Sequence, residues 1–111
     1  LEKEDIADAF IPVLPVGELV PAKVRIVELA GRKVALGLGG SGVFAFEDRC
    51  SHAASSFAAG RVIGECLVCP MHGARFDTRT GACVSAPYSP LRSFETRIVN
   101  GMIEVALSPR T

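Results

Sequence analysis

From Ala22 to Leu29 apolar and polar positions alternate, with Val24, Ile26 and Glu28 on one side and Arg25, Val27 and Leu29 on the other. A period of two belongs to a strand. Gly31-Arg32 then turns the chain into Lys33–Leu38, which predicts a hairpin. A second turn over Gly39–Gly42 leads into a third strand, Val43–Glu47. At the far end Phe94–Val99 and Met102–Leu107 flank Asn100-Gly101, the pair that best accepts positive φ at both central positions of a type I′ turn. That is the clearest hairpin in the chain. The acidic start, Glu2 to Asp8, has room for no more than a short helical turn.

Between these strand-rich ends, Arg49 to Pro90 loses the pattern except at Cys66–Val68 and Ala74–Asp77. Glycine and proline recur throughout at the spacing of an all-β domain. The division predicts one domain over residues 1–111. Base strands over about 9–48 and 91–107 form an antiparallel β-sandwich or barrel, and residues of about 49–90 are inserted as a subdomain built around something other than apolar packing.

Composition narrows the function. A chain of 111 residues is one domain with a modest core. Twelve basic residues balance twelve acidic ones, so no overall positive field attracts nucleic acid or an anionic membrane. The longest uncharged stretch, Val34 to Phe46, has thirteen residues, four of them glycine. A spanning helix needs about 20 apolar residues, so no membrane span is expected. The first ten residues lack the basic start and apolar run of a secretory signal, so a cytoplasmic protein is expected. Four cysteines allow two disulfides in three pairings, but a reducing compartment disfavours them.

The two histidines supply the chemistry. They stand in Cys50-Ser51-His52 and, after sixteen residues, in Cys69-Pro70-Met71-His72. Ligands two or three positions apart in a tight turn reach one metal centre without a long loop to order. Two thiolates and two imidazoles satisfy zinc tetrahedrally, and a zinc-stabilised binding module is one alternative. Zinc modules of that kind, however, put the cysteines in one pair and the histidines in the other. Here each pair is mixed, which suits a two-iron centre with both sulfurs on one iron and both nitrogens on the other.

These two boxes, Cys50-Ser51-His52 and Cys69-Pro70-Met71-His72-Gly73, resemble those of the Rieske family, and the resemblance extends over the whole chain in length and order. It implies a Rieske-like fold whose inserted subdomain holds one [2Fe-2S] Rieske cluster. Cys50 and Cys69 then hold the buried iron, and His52 and His72 the outer one. Two ferric ions, two sulfides and two thiolates sum to about zero, so one added electron leaves about −1, a small change for a one-electron carrier to solvate. Gly73 is expected at positive φ, and Phe57 and Phe76 behind the loops as core. Ala86 to Pro90 resembles the family's proline-bearing flap. Cys66 and Cys83 are expected as small hydrophobes and not as ligands.

Two departures narrow the resemblance. Respiratory members carry an extra cysteine in each box, joined as a disulfide clamp; Ser55 and Met71 stand there instead. Those members also carry a serine and a tyrosine whose hydroxyls donate to cluster sulfur; Ala74 and Phe76 stand there. Fewer donors leave the reduced state less stabilised, which implies a potential near the bottom of the ~−150 to +300 mV Rieske range. The resemblance is thus to the soluble ferredoxins of bacterial aromatic-ring oxygenase systems, which are not themselves enzymes. It implies two partners, a flavin-dependent ferredoxin reductase using NAD(P)H and a terminal oxygenase.

A terminal oxygenase also needs a mononuclear iron on two further histidines, and this chain has none to spare. A small Rieske subunit of a diiron monooxygenase or of a nitrite-reductase-like enzyme is the other alternative. A carrier keeps its cluster tip uncovered, so a monomer is expected. The expected docking rim is Ala53, Ala54, Met71, Pro87 and Tyr88, with Arg49 and Arg75 as charge guides.

Overall fold

The computed structural model describes residues 10–51, 55–71 and 73–109. Its nine strands form three antiparallel sheets of three. β1 (Phe10–Pro15), β9 (Met102–Pro109) and β8 (Phe94–Val99) make one, in that order. The second has the order β2 (Arg25–Leu29), β3 (Arg32–Gly39), β4 (Gly42–Glu47). The third is β5 (Arg61–Ile63), β6 (Cys66–Val68), β7 (Arg75–Asp77). The all-β antiparallel expectation holds.

The β2–β4 sheet is the middle layer, and its sequence shows why. Val34, Leu36 and Ala45 pack into one buried cluster with Leu14, Phe94, Ile103 and Val105 of the first sheet. Ala35, Phe44 and Phe46 face the other way, into a cluster with Leu67, Phe76, Cys50 and Cys69. A sheet buried on both faces reads as a nearly continuous apolar run, which is what residues 34–46 show. The same holds in part for β2 and the residue before it, where Val24 and Ile26 border one cluster and Val27 and Leu29 the other.

The turns follow the sequence with one shift. Asn100 and Gly101 both take positive φ, 52° and 78°, as the β8–β9 hairpin requires. The β2–β3 turn centres on Ala30-Gly31, with φ of 51° and 80°, one residue before the predicted Gly31-Arg32, because Leu29 pairs with Arg32. β1 escapes the alternation rule. Pro12 and Pro15 disguise it, and an edge strand is where proline is tolerated.

Inside the middle sheet Gly37 lies opposite Phe44, whose ring covers it. A Cβ at Gly37 would stand 2.8 Å from Cε2 of that ring, and Phe44 is buried and cannot swing out. Gly37→Ala is therefore expected to destabilise the fold by about 1–3 kcal/mol, the usual scale of overpacking. Denaturant unfolding followed by far-ultraviolet circular dichroism measures it.

The third sheet is clasped to the middle one at the β5–β6 turn. Gly40 donates from its backbone to Gly64 O at 3.1 Å, and Thr78 to Glu65 O at 2.8 Å. The Glu65 carboxylate accepts from Ser41 Oγ at 2.6 Å and from Thr78 Oγ1 at 3.0 Å. The Ser41 hydrogen bond, with those of Thr78 and the Arg79 charge, outweighs burial and holds the Glu65 carboxyl below the usual carboxylate range.

Candidate metal centre

Two loops of the same build rise from the strands. The first leaves β4, where Glu47 N donates to Arg92 O at 2.8 Å and Asp48 N to Lys33 O at 3.0 Å. Cys50 N then donates to Ser55 O at 2.9 Å and closes the turn on itself. The second leaves β6, and Cys69 N donates to Ala74 O at 2.8 Å. In each loop the cysteine amide thus reaches the carbonyl five residues ahead. A histidine stands between the two ends of each closed turn in the sequence; His52 and His72 lie outside the described residues, with Ala53 and Ala54.

Further bonds hold each loop rigid. Asp48 accepts from Phe57 N at 2.7 Å and from Ser56 Oγ at 2.6 Å, and Ser56 Oγ accepts in turn from Ala58 N at 3.0 Å. That carboxylate fastens the exit of the first loop to its entrance. In the second loop Gly73 N donates to Cys69 O at 3.1 Å, and Gly73 takes φ 73°, as expected. A side chain there would be strained whatever the space.

Cys50 and Cys69 are 0% and 1% exposed, within the same apolar cluster. Behind them Phe57 and Phe76, both fully buried, meet edge to face at a centroid distance of 6.0 Å. Ser55 Oγ, one turn from Cys50, lies 3.7 Å from Sγ of Cys69 and links the two loops. When Cys69 is a ligating thiolate, the hydroxyl is the donor. Met71, at the second position where the respiratory proteins carry a clamp cysteine, is 54% exposed. Among the described residues no disulfide forms.

The segment after β7 folds over this end of the molecule. Val84 N donates to Arg75 O at 2.8 Å, and Arg75 N donates to Ser85 Oγ at 3.0 Å. Ser51 Oγ, from the first box, donates to Ser89 O at 2.5 Å, so residues 86–90 are tied to the loop of Cys50. Cys83 anchors the start of this flap. Burial opposes its ionisation, but hydrogen bonds from the Ser85 backbone and hydroxyl and from the backbone of Ala86 and Tyr88 outweigh burial and hold its thiol below the usual range. Cys66 is half-buried on β6, across from Asp77.

The donor set fits a two-iron cluster. Two sulfurs sunk in an apolar cluster suit an iron shielded from water, and rigid loops closed by their own backbone suit a group that must not change shape on reduction. Of the four ligand candidates the structure describes Cys50 and Cys69; sequence reasoning missed the hydrogen-bonding roles of Asp48, Ser51 and Ser55. An Asp or Ser flanking a turn is the one local sign such residues leave.

Residues 9–95 match the family model described as the Rieske [2Fe-2S] domain. Over 79 residues, 69% of its length and 73% of the relative's, the chain is 40% identical to the anthranilate 1,2-dioxygenase ferredoxin subunit of Burkholderia cepacia. It is 31% identical over 99 residues, 87% of its length and 92% of the relative's, to ferredoxin CarAc of Metapseudomonas resinovorans. Among solved structures it superposes with a TM-score of 0.83 at 28% identity on a chain of the complex of reduced oxygenase and oxidised ferredoxin in carbazole 1,9a-dioxygenase, covering 94% of itself and 98% of that chain. With its paired loops, its two buried cysteines and these likenesses, the chain belongs to the Rieske [2Fe-2S] domain family, whose members hold one Rieske cluster.

Proposed function

We propose that this protein is a one-electron carrier, the ferredoxin component of an oxygenase system for aromatic compounds, and not the enzyme that oxidises the substrate. Cys50 and Cys69 hold one iron of a [2Fe-2S] cluster, and His52 and His72 hold the other. The observation that carries this reading is the pair of alike loops closing on two buried cysteines. A flavin-dependent ferredoxin reductase oxidising NAD(P)H gives up one electron, and a terminal oxygenase accepts it. Residues 49–90 are the cluster-binding subdomain and the strands on either side its base.

The bound cluster supplies reversible one-electron chemistry, and the residues of the chain do the rest. Phe57, Phe76 and Leu67 keep water from the sulfur side. The Asp48, Ser51 and Ser89 bonds fix the loops, so little reorganisation accompanies the change in charge. Exposed Met71 and Tyr88, beside Pro87, offer a small apolar rim for brief contacts, as a shuttle between two partners needs. Among the described residues no helix is long and apolar enough to cross a membrane. A monomer working in the cytoplasm fits that role.

The purified protein is expected to contain iron and acid-labile sulfide at about two of each per chain. Adding it to its reductase and terminal oxygenase with NADH should restore substrate oxidation. One zinc per chain without sulfide, or turnover equally fast with the protein omitted, would sink the reading.

A further inference from the structure

The outer face of the third sheet carries a row of cations that the cluster does not account for. Along β5, β6 and β7 the buried positions are Val62, Leu67 and Phe76, so their neighbours Arg61, Val68 and Arg75 point the other way. Arg61 pairs with Val68, and Val68 with Arg75, across the strands. Lys23 forms a bridge with Arg61 on the open side, where Val62 N also donates to Ala22 O at 3.0 Å. Lys23, Arg61, Val68 and Arg75 therefore lie in one row, with all three cations exposed.

Among the described residues no carboxylate answers them. Among the described residues none of the three forms an ion pair, whereas Arg25, Arg79, Arg92 and Arg97 each do. The carboxylates between residues 48 and 77 are already engaged: Asp48 with Ser56 and Phe57, Glu65 with Ser41 and Thr78, Asp77 with Arg79. Residues 49–90 carry four arginines against Glu65 and Asp77, a positive pole in a chain that is neutral overall. Like charges directly opposite on neighbouring strands destabilise a sheet, and Lys23 beside Arg61 is such a pair. A partner bearing the opposite charge relieves that repulsion.

We propose that the row Lys23, Arg61, Val68 and Arg75 is a docking surface for the carboxylate-bearing face of an electron-transfer partner, beside the cluster loops. The proposal rests on the carrier reading above. Three inter-strand steps make the row about 15 Å long, too long for one small anion and the right scale for several carboxylates on a protein surface. Val68 at its centre adds an apolar contact. The row adjoins the site: Val68 precedes Cys69, Arg75 follows Ala74, and Arg61 lines one groove with Cys69, Pro70 and Gly73. A partner seated here brings its edge to the second loop.

The test is stopped-flow electron exchange with the reductase and with the oxygenase in separate arms, using holoprotein of wild type and of the triple variant Lys23→Gln, Arg61→Gln, Arg75→Gln. With at least one partner the variant should be about ten-fold slower at low ionic strength. The gap should close near 1 M salt, where the screening length is only about 3 Å. Arg97→Gln, a cation on β8 of the first sheet, across the middle sheet from the row, should match wild type, and all proteins should share one visible spectrum. Equal rates for wild type and triple variant with both partners at low salt would overturn the docking surface while leaving the carrier reading intact. Wild type that exchanges electrons with neither partner overturns both.

Discussion

Cys50→Ala and Cys69→Ala are each expected to yield a colourless protein without iron or sulfide, whereas Cys66→Ala and Cys83→Ala keep both the metal and the visible spectrum. The distinction comes from placement. Cys50 and Cys69 are the fully buried pair, each at the start of a loop that its own amide closes. Cys66 and Cys83 are half-buried and sit on strand-like segments on either side of β7. Deleting a sulfur ligand leaves an iron with no substitute donor in an apolar pocket, so partial occupancy is not expected. Cys50→Ser and Cys69→Ser keep the volume of the side chain and separate loss of the ligand from loss of packing; they too should lose most of the visible absorption. Iron and sulfide analysis decides the matter. A Cys69→Ala protein with an intact spectrum would overturn the ligand assignment.

Cys83→Ala has a second, smaller consequence. Its sulfur gathers the backbone donors of Ser85, Ala86 and Tyr88, so losing it should loosen the flap without touching the metal. That role was invisible in the sequence, where Cys83 is only a cysteine without a histidine near it. It became visible once residues 83–88 were seen to curl around one sulfur.

The hairpins were legible because their information is local. Asn100-Gly101 states its own turn, and the alternation of 22–29 states its own strand. The double-sided burial of β3 and β4 was present as an unbroken apolar run, but a run says only that both faces are covered and not by what. β5 was missed because three residues are too few to show a period. The pairing of each cysteine with a histidine is legible from spacing, and of those four candidates the structure describes Cys50 and Cys69. The hydrogen bonds around them are not legible there, since Ser51 meets Ser89 and Ser55 meets Cys69 only after the loops are brought together. The cation row is of the same kind. Lys23, Arg61 and Arg75 are scattered in sequence and become neighbours only through strand register.

Ser55→Ala is expected to lower the midpoint potential. Ala74 and Phe76 remove two hydroxyl donors by comparison with the respiratory proteins, and both are buried here, at 5% and 0% exposure, where they exclude water but donate nothing from their side chains. Ser55 stands at a clamp-cysteine position and supplies a different donor, 3.7 Å from Cys69 Sγ. Reduction places more negative charge on the cluster and its sulfur ligands, so a hydrogen bond donated to Cys69 favours the reduced state and raises the potential. A net hydrogen bond of about 0.5–1.5 kcal/mol corresponds to roughly 20–65 mV for a one-electron couple, at about 59 mV per tenfold change in equilibrium. Removing it should shift the potential down by that amount, with the iron content unchanged. Ser55→Thr keeps the hydroxyl and should stay near wild type, which separates the hydrogen bond from packing. Ala74→Ser should move the potential the other way if its new hydroxyl reaches cluster sulfur. Redox titration followed by visible circular dichroism reads all three, and a Ser55→Ala potential equal to or above that of wild type would show that this hydroxyl does not serve the reduced state.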